Sequence, residues 1–145
     1  YGGMVRIYIL KEDYQKALDY AKKAVENLPH TLPFPSTNWT IPLIELAKIY
    51  VKLDNYEEGI KYYQQALEID IRYRKKASPI YLEIGKTYEY MKEKKKAIAV
   101  YKKFISAGPE REEDKRYAER RIEELERGNF LVPEEEKEEE TIKQQ

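Results

Sequence analysis

Residues 43–69 read LIELAKIYVKLDNYEEGIKYYQQALEI, and this stretch decides the fold. Ile44, Leu46, Ala47, Tyr50 and Leu53 form one apolar stripe at helical spacing. Asp54-Asn55 then makes a polar turn, and Ile60, Tyr63, Ala66, Leu67 and Ile69 form a second stripe. Two amphipathic helices joined by so short a turn must lie antiparallel. Tyr50 stands nine residues before the small residue Gly59, and Ala66 follows seven later.

The same steps occur on either side. Tyr8 leads by nine to Ala17 and by seven more to Ala24; Tyr88 leads likewise to Ala97 and Phe104. The repeat tyrosines themselves are 42 and 38 residues apart. Constant interiors with variable joins define a repeat array whose units cannot each cover their own apolar face and therefore stack. No segment alternates with a period of two for the length of a strand, so no sheet is expected. Pro29 and Pro109 follow second helices, and Thr40 and Ser78 are placed to cap the helices entered by Pro42 and Pro79. The helix that includes Ile69 is expected to run on through Ile71 to Ala77.

These residues resemble the tetratricopeptide repeat family. Tyr1, Met4, Tyr8, Tyr14, Ala17, Ala24 and Pro29 fit a first unit. Leu43, Leu46, Ala47, Tyr50, Tyr56, Tyr63 and Ala66 fit a second; Tyr81, Ile84, Gly85, Tyr88, Ala97, Tyr101 and Pro109 fit a third. The resemblance implies an all-α, right-handed solenoid of three helix-turn-helix repeats, at about 1–29, 40–73 and 78–109, followed by a capping helix over 110–127. Together these make a repeat domain over 1–127 with an acidic tail over 128–145. Departures are Gly59 for alanine, at a helix cost of roughly 1 kcal/mol, Lys94 for an aromatic and Phe104 for alanine.

The resemblance also implies that the first helix of each pair lines a concave groove. By position, the groove receives Arg6, Ile9 and Leu10 from the first unit. The second supplies Ile41, Ile44, Glu45, Lys48, Val51 and Lys52, and the third Leu82, Glu83, Lys86, Glu89 and Tyr90. Aliphatic patches mixed with lysines suit a peptide or protein segment with apolar anchors and acidic flanks. The members of the family that clamp heat-shock chaperone C-terminal tails use cationic and amide side chains where this chain has Gly2, Arg6, Glu45, Pro79 and Glu83, so such tails are excluded as partners.

Of fourteen tyrosines, nine lie on the repeat pattern and are expected to fill helix interfaces; Tyr20, Tyr62, Tyr73, Tyr90 and Tyr117 lie off it. The insertion 30–39 carries Phe34 and Trp39, a candidate docking loop, although folding back to plug a gap between helices is the preferred reading. His30 is the one histidine and the chain has no cysteine, so no metal, cofactor, thiolate or histidine-based catalysis is expected, and the chain is read as non-enzymatic.

The 27 basic and 27 acidic residues balance, but unevenly: residues 1–109 carry a net +6 and residues 110–145 a net −6. That asymmetry supports a second reading, a subunit that self-associates or is built into a larger multiprotein assembly. A weak electrostatic nucleic-acid binder is the third. Its basic clusters, Arg72-Arg74-Lys75-Lys76 and Lys92-Lys94-Lys95-Lys96, fall on opposite edges of the array, about 20 Å apart at 1.5 Å per helical residue, with no stacking platform. No apolar run is long enough to span a bilayer. A cytoplasmic setting is favoured over the cell envelope. The chain starts at Tyr1 rather than Met, so residues upstream are expected to be missing. The richness in Lys and Glu matches heat-adapted proteins.

Overall fold

The computed structural model describes residues 2–28 and 37–133 of the 145-residue chain. Among them are seven α-helices, a short 3-10 turn at Thr37–Trp39, and no strand. The helices are α1 (Gly2–Leu10), α2 (Tyr14–Glu26), α3 (Thr40–Lys52), α4 (Tyr56–Tyr73), α5 (Ile80–Tyr90), α6 (Lys94–Ser106) and α7 (Glu112–Glu126). Each packs chiefly on the next, from α1 through to α7.

Three hairpins, α1–α2, α3–α4 and α5–α6, share one turn. The fourth residue after each repeat tyrosine adopts a left-handed backbone: Glu12 at φ 57°, Asp54 at 60° and Lys92 at 61°. The next amide donates back to the tyrosine carbonyl, from Asp13 to Tyr8 at 2.9 Å, Asn55 to Tyr50 at 2.8 Å and Glu93 to Tyr88 at 3.0 Å. A second bond runs from the left-handed residue itself to the carbonyl three back. This closure satisfies carbonyls that a helix end leaves orphaned, and it ordinarily uses glycine. At the start of α2, Asp13 accepts from the Lys16 amide at 3.2 Å, a side-chain N-cap.

The core is three clusters, each joining neighbours. Val5, Ala17 and Ala21 of the first hairpin meet Leu46, Ile49 and Tyr50 of the second. Leu43, Ala47, Ile60, Tyr63 and Ile69 of the second meet Ile80 and Ile84 of the third. Leu82, Ala97, Tyr101 and Phe104 of the third meet Ala118 and Leu125 of α7. Phe104, 1 % exposed, thus fills the gap that α7 covers. Burying such a side chain is worth roughly 1.5–3 kcal/mol.

Two glycines permit close crossings. A Cβ on Gly59 would lie 2.7 Å from Val51 Cγ2 and 3.1 Å from the Ala47 carbonyl oxygen; on Gly85 it would lie 2.6 Å from Tyr101 Cε1. At position 59 the intrinsic cost of glycine in a helix is therefore offset by the approach of α3 and α4.

Several expectations are corrected. Helix α4 stops at Tyr73, not Ala77, because Arg74 turns extended (φ −103°, ψ 129°). There Asp70 accepts from Arg74 Nε at 2.9 Å and also from the Ser78 hydroxyl. Ser78 Oγ accepts from the Ile80 amide at 3.2 Å, so it caps α5 as expected, whereas Thr40 is already helical and Trp39, the residue before it, makes no side-chain cap. Tyr20 and Tyr62, off the repeat pattern, stack on Tyr8 and Tyr50 with centroids 5.4 and 5.6 Å apart. Pro29, His30 and Phe34 lie outside the described residues, while Trp39 is half-buried against the middle core cluster.

Candidate binding cavity between the second and third hairpins

The turn after α3 and the packing of α4 on α5 leave a cavity of about 250 Å³. Helix α3 contributes Lys48 and, one helical turn on, Val51 and Lys52, and α5 contributes Glu83, Lys86, Thr87 and Tyr90. Tyr56 and Tyr63 line it from α4, Asp54 from the turn between α3 and α4, and Pro133 from the chain beyond α7. The Tyr56 and Tyr90 rings lie 6.0 Å apart and tilted by 42°. Tyr63 is 2 % exposed, and burial, with Glu83 next, pushes its hydroxyl well above the ordinary tyrosine value, so it stays neutral.

The wall carries charges of both signs. Asp54 accepts from the Tyr56 hydroxyl at 3.1 Å, and Glu83 lies 3.7 Å from Lys86. Lys86 also sits 5.3 Å above the Tyr117 ring. Lys48 and Lys52 are exposed and present the positive side from α3. Aromatic and aliphatic surface bordered by cations can take an apolar side chain flanked by carboxylates.

Six residues expected in a groove therefore meet at this cavity: Lys48, Val51, Lys52, Glu83, Lys86 and Tyr90. The others do not. Ile44 packs against the middle core cluster, and Leu10 is 84 % exposed at the end of α1. Arg6 lines a separate hollow with Gly3, Ala24, Ile41, Pro42 and Glu45. Leu82 and Glu89 were expected on the groove surface and are not: Leu82 is 8 % exposed within the third core cluster, and Glu89 is fully buried.

Glu89 is the hub of a polar network. Its carboxylate accepts from Tyr101 Oη at 2.6 Å, from Arg121 Nη2 at 2.6 Å and Nε at 3.1 Å, and from the Leu131 amide at 3.0 Å. Arg121 Nη2 also donates to the Asn129 carbonyl at 3.0 Å. Burial opposes the Arg121 charge, but the Glu89 carboxylate bonded to it more than compensates and raises its pKa. Burial, reinforced by Glu89, drives the Tyr101 hydroxyl far above the tyrosine range. No buried side-chain polar atom lacks a partner among the described residues. The network explains why α5 tolerates a carboxylate in its packed face: both carboxylate oxygens meet donors.

Sequence reasoning missed Tyr56, Tyr63, Thr87, Asp54 and Pro133 as cavity residues. The repeat pattern assigns the first two to a helix interface, a place they also hold. Pro133 gave no local signal, since only the return of the chain after α7 brings it there.

The family model of the tetratricopeptide repeat matches residues 40–107, which span α3 to α6. Residues 40–107 are tetratricopeptide repeats. Helices α1 and α2, outside that match, repeat its turn geometry and its stacked tyrosine pair. No curated protein matches the chain. Tetratricopeptide repeats generally mediate protein–protein interactions and are typically non-enzymatic. Among the described residues no cluster of three or more His, Cys, Asp or Glu could hold a metal, and no helix is long and apolar enough to cross a membrane.

Proposed function

We infer that this chain is a non-enzymatic binding module that holds a peptide or protein segment at the cavity between its second and third hairpins. The observation that carries this reading is the meeting of Lys48 and Lys52 from α3 with Lys86 from α5 around Val51, Tyr56, Tyr63 and Tyr90. An apolar side chain supplies the anchor, and acidic flanks meet the lysines, which speed encounter and set orientation. The basic clusters at 72–76 and 92–96 support nucleic-acid binding less well: Arg74 bonds Asp70, while Lys92 and Lys96 sit over the Phe130 and Tyr88 rings at 5.0 and 5.9 Å.

The test is fluorescence anisotropy with a labelled peptide that carries a leucine or phenylalanine between glutamate flanks. Lys48→Glu with Lys86→Glu weakens binding by about tenfold or more while circular dichroism stays unchanged. Equal affinity of the two proteins removes the reading.

A second reading, a subunit that self-associates, is favoured by one feature. Met4, Ile7 and Leu10, each three apart on α1, are 37, 44 and 84 % exposed and make an apolar strip along that helix. Sedimentation velocity decides it: a species larger than a monomer that Ile7→Lys dissociates supports it, and a monomer at all concentrations and salts removes it.

A further inference from the structure

Helix α7 ends at Glu126, and Gly128 two residues on, with a φ of +87°, reverses the chain. The returning segment is fastened to the body at successive residues. Asn129 Nδ2 donates to Glu124 Oε2 at 2.8 Å, and its carbonyl accepts from Arg121. Phe130 packs on the third core cluster beneath Lys92, and the Leu131 amide donates to the buried Glu89. Two residues later Pro133 lines the cavity of Lys48, Lys52 and Lys86. The chain is thus steered from the far side of α7 back over α5 and delivered to the candidate binding surface.

The next seven residues are Glu134-Glu135-Glu136-Lys137-Glu138-Glu139-Glu140. Three extended residues reach about 10 Å, so the first glutamates start within range of the cavity's lysines. Lys48, Lys52 and Lys86 thus line a cavity of which one wall residue, Pro133, is the anchor point of a run of opposite charge.

We propose that segment 134–140 occupies this cavity in its own chain, with its glutamates on Lys48, Lys52 and Lys86, and competes there with an outside acidic ligand. The inference deepens the binding-module reading by giving that site a built-in competitor. A tether this short holds the segment at an effective concentration of order millimolar. An intrinsic affinity near 100 µM then lowers the apparent affinity for an outside ligand by about tenfold.

The chain has no cysteine, so Glu136→Cys accepts a single spin label without removing any lysine. In the full chain, amide signals of Lys48, Lys52, Lys86 and Tyr90 broaden, and those of Asp19 and Lys22 on α2 do not. Uniform or absent broadening overturns the proposal. So does broadening that appears only between labelled and isotope-enriched copies in a mixture, which would assign the segment to a second molecule. Replacing the six glutamates of 134–140 by Gln is expected to tighten the glutamate-flanked probe peptide about tenfold, and equal affinity overturns the competition. If the probe binds neither form while the broadening is selective, the binding-module reading falls and the occupancy stands.

Discussion

Arg121 of α7 clasps Glu89 of α5 with Nη2 2.6 Å from one carboxylate oxygen and Nε 3.1 Å from the other, across 32 residues of sequence. This pair joins the last helix to the third hairpin as a polar counterpart to the apolar contact of Phe104 with Ala118 and Leu125. Arg121→Ala leaves a buried carboxylate short of its counter-charge and is expected to cost about 3–5 kcal/mol by denaturant titration. Replacing both residues by Met removes the charge burial altogether and is expected to cost less than the single change. A double variant weaker than Arg121→Ala contradicts this account.

Gly85 faces the Tyr101 ring so closely that a methyl group has no room. The ring is fully buried and bonded to Glu89, so it cannot swing aside. Gly85→Ala is expected to lose roughly 1–3 kcal/mol despite the better helix propensity of alanine. A shift of the urea midpoint to higher concentration would refute it.

Glu12 holds a left-handed backbone with an exposed side chain. Glycine adopts that conformation without the steric penalty of roughly 1–2 kcal/mol, though it adds freedom to the unfolded chain. Glu12→Gly is therefore expected to stabilise by a net of about 0.5–1 kcal/mol. Thermal unfolding at or below the parent's midpoint would show that the turn carries no such strain.

Burial, with the charge of Glu89 second, pushes the Tyr117 hydroxyl up to about 12 from its ordinary 10. Tyr101 and Tyr63 are raised further still. The fold holds these protons more tightly than the unfolded chain does. Their contribution is complete below about pH 10 and is lost as pH rises through about 12 for Tyr117 and beyond for the other two. Denaturation midpoints are expected to fall from about pH 10 upward, and Tyr117→Phe to shallow that fall. Identical slopes for parent and variant would contradict it.

The hairpins were legible because Tyr8, Tyr50 and Tyr88 mark one register, and that register governs both the turn and the neighbouring contact. The stacked pairs were not read: Tyr20 and Tyr62 each stand twelve residues after a repeat tyrosine, a spacing that only the ring geometry made meaningful. The end of α4 was not legible, because Asp70 draws in Arg74 and Ser78 through side-chain bonds that no helical pattern encodes. Leu82 and Glu89 were misplaced for a different reason. Their positions on a first helix are groove positions only where nothing further covers them. Here α7 and the stretch of chain through Leu131 do so from far along the sequence. At the cavity, Lys48, Val51, Lys52, Glu83, Lys86 and Tyr90 followed from the first-helix positions that the family resemblance implies, whereas Pro133 depended on a chain reversal.

Because the buried residues of each of the three apolar clusters come from adjoining units, the described array has no keystone. Peeling off α1 and α2 would bare one side of α3 and leave the contacts from α4 onward intact. Such an array comes apart like a stack of tiles, from its ends inward, and amide exchange is expected to be slowest in α4, the helix farthest from either end of the described array.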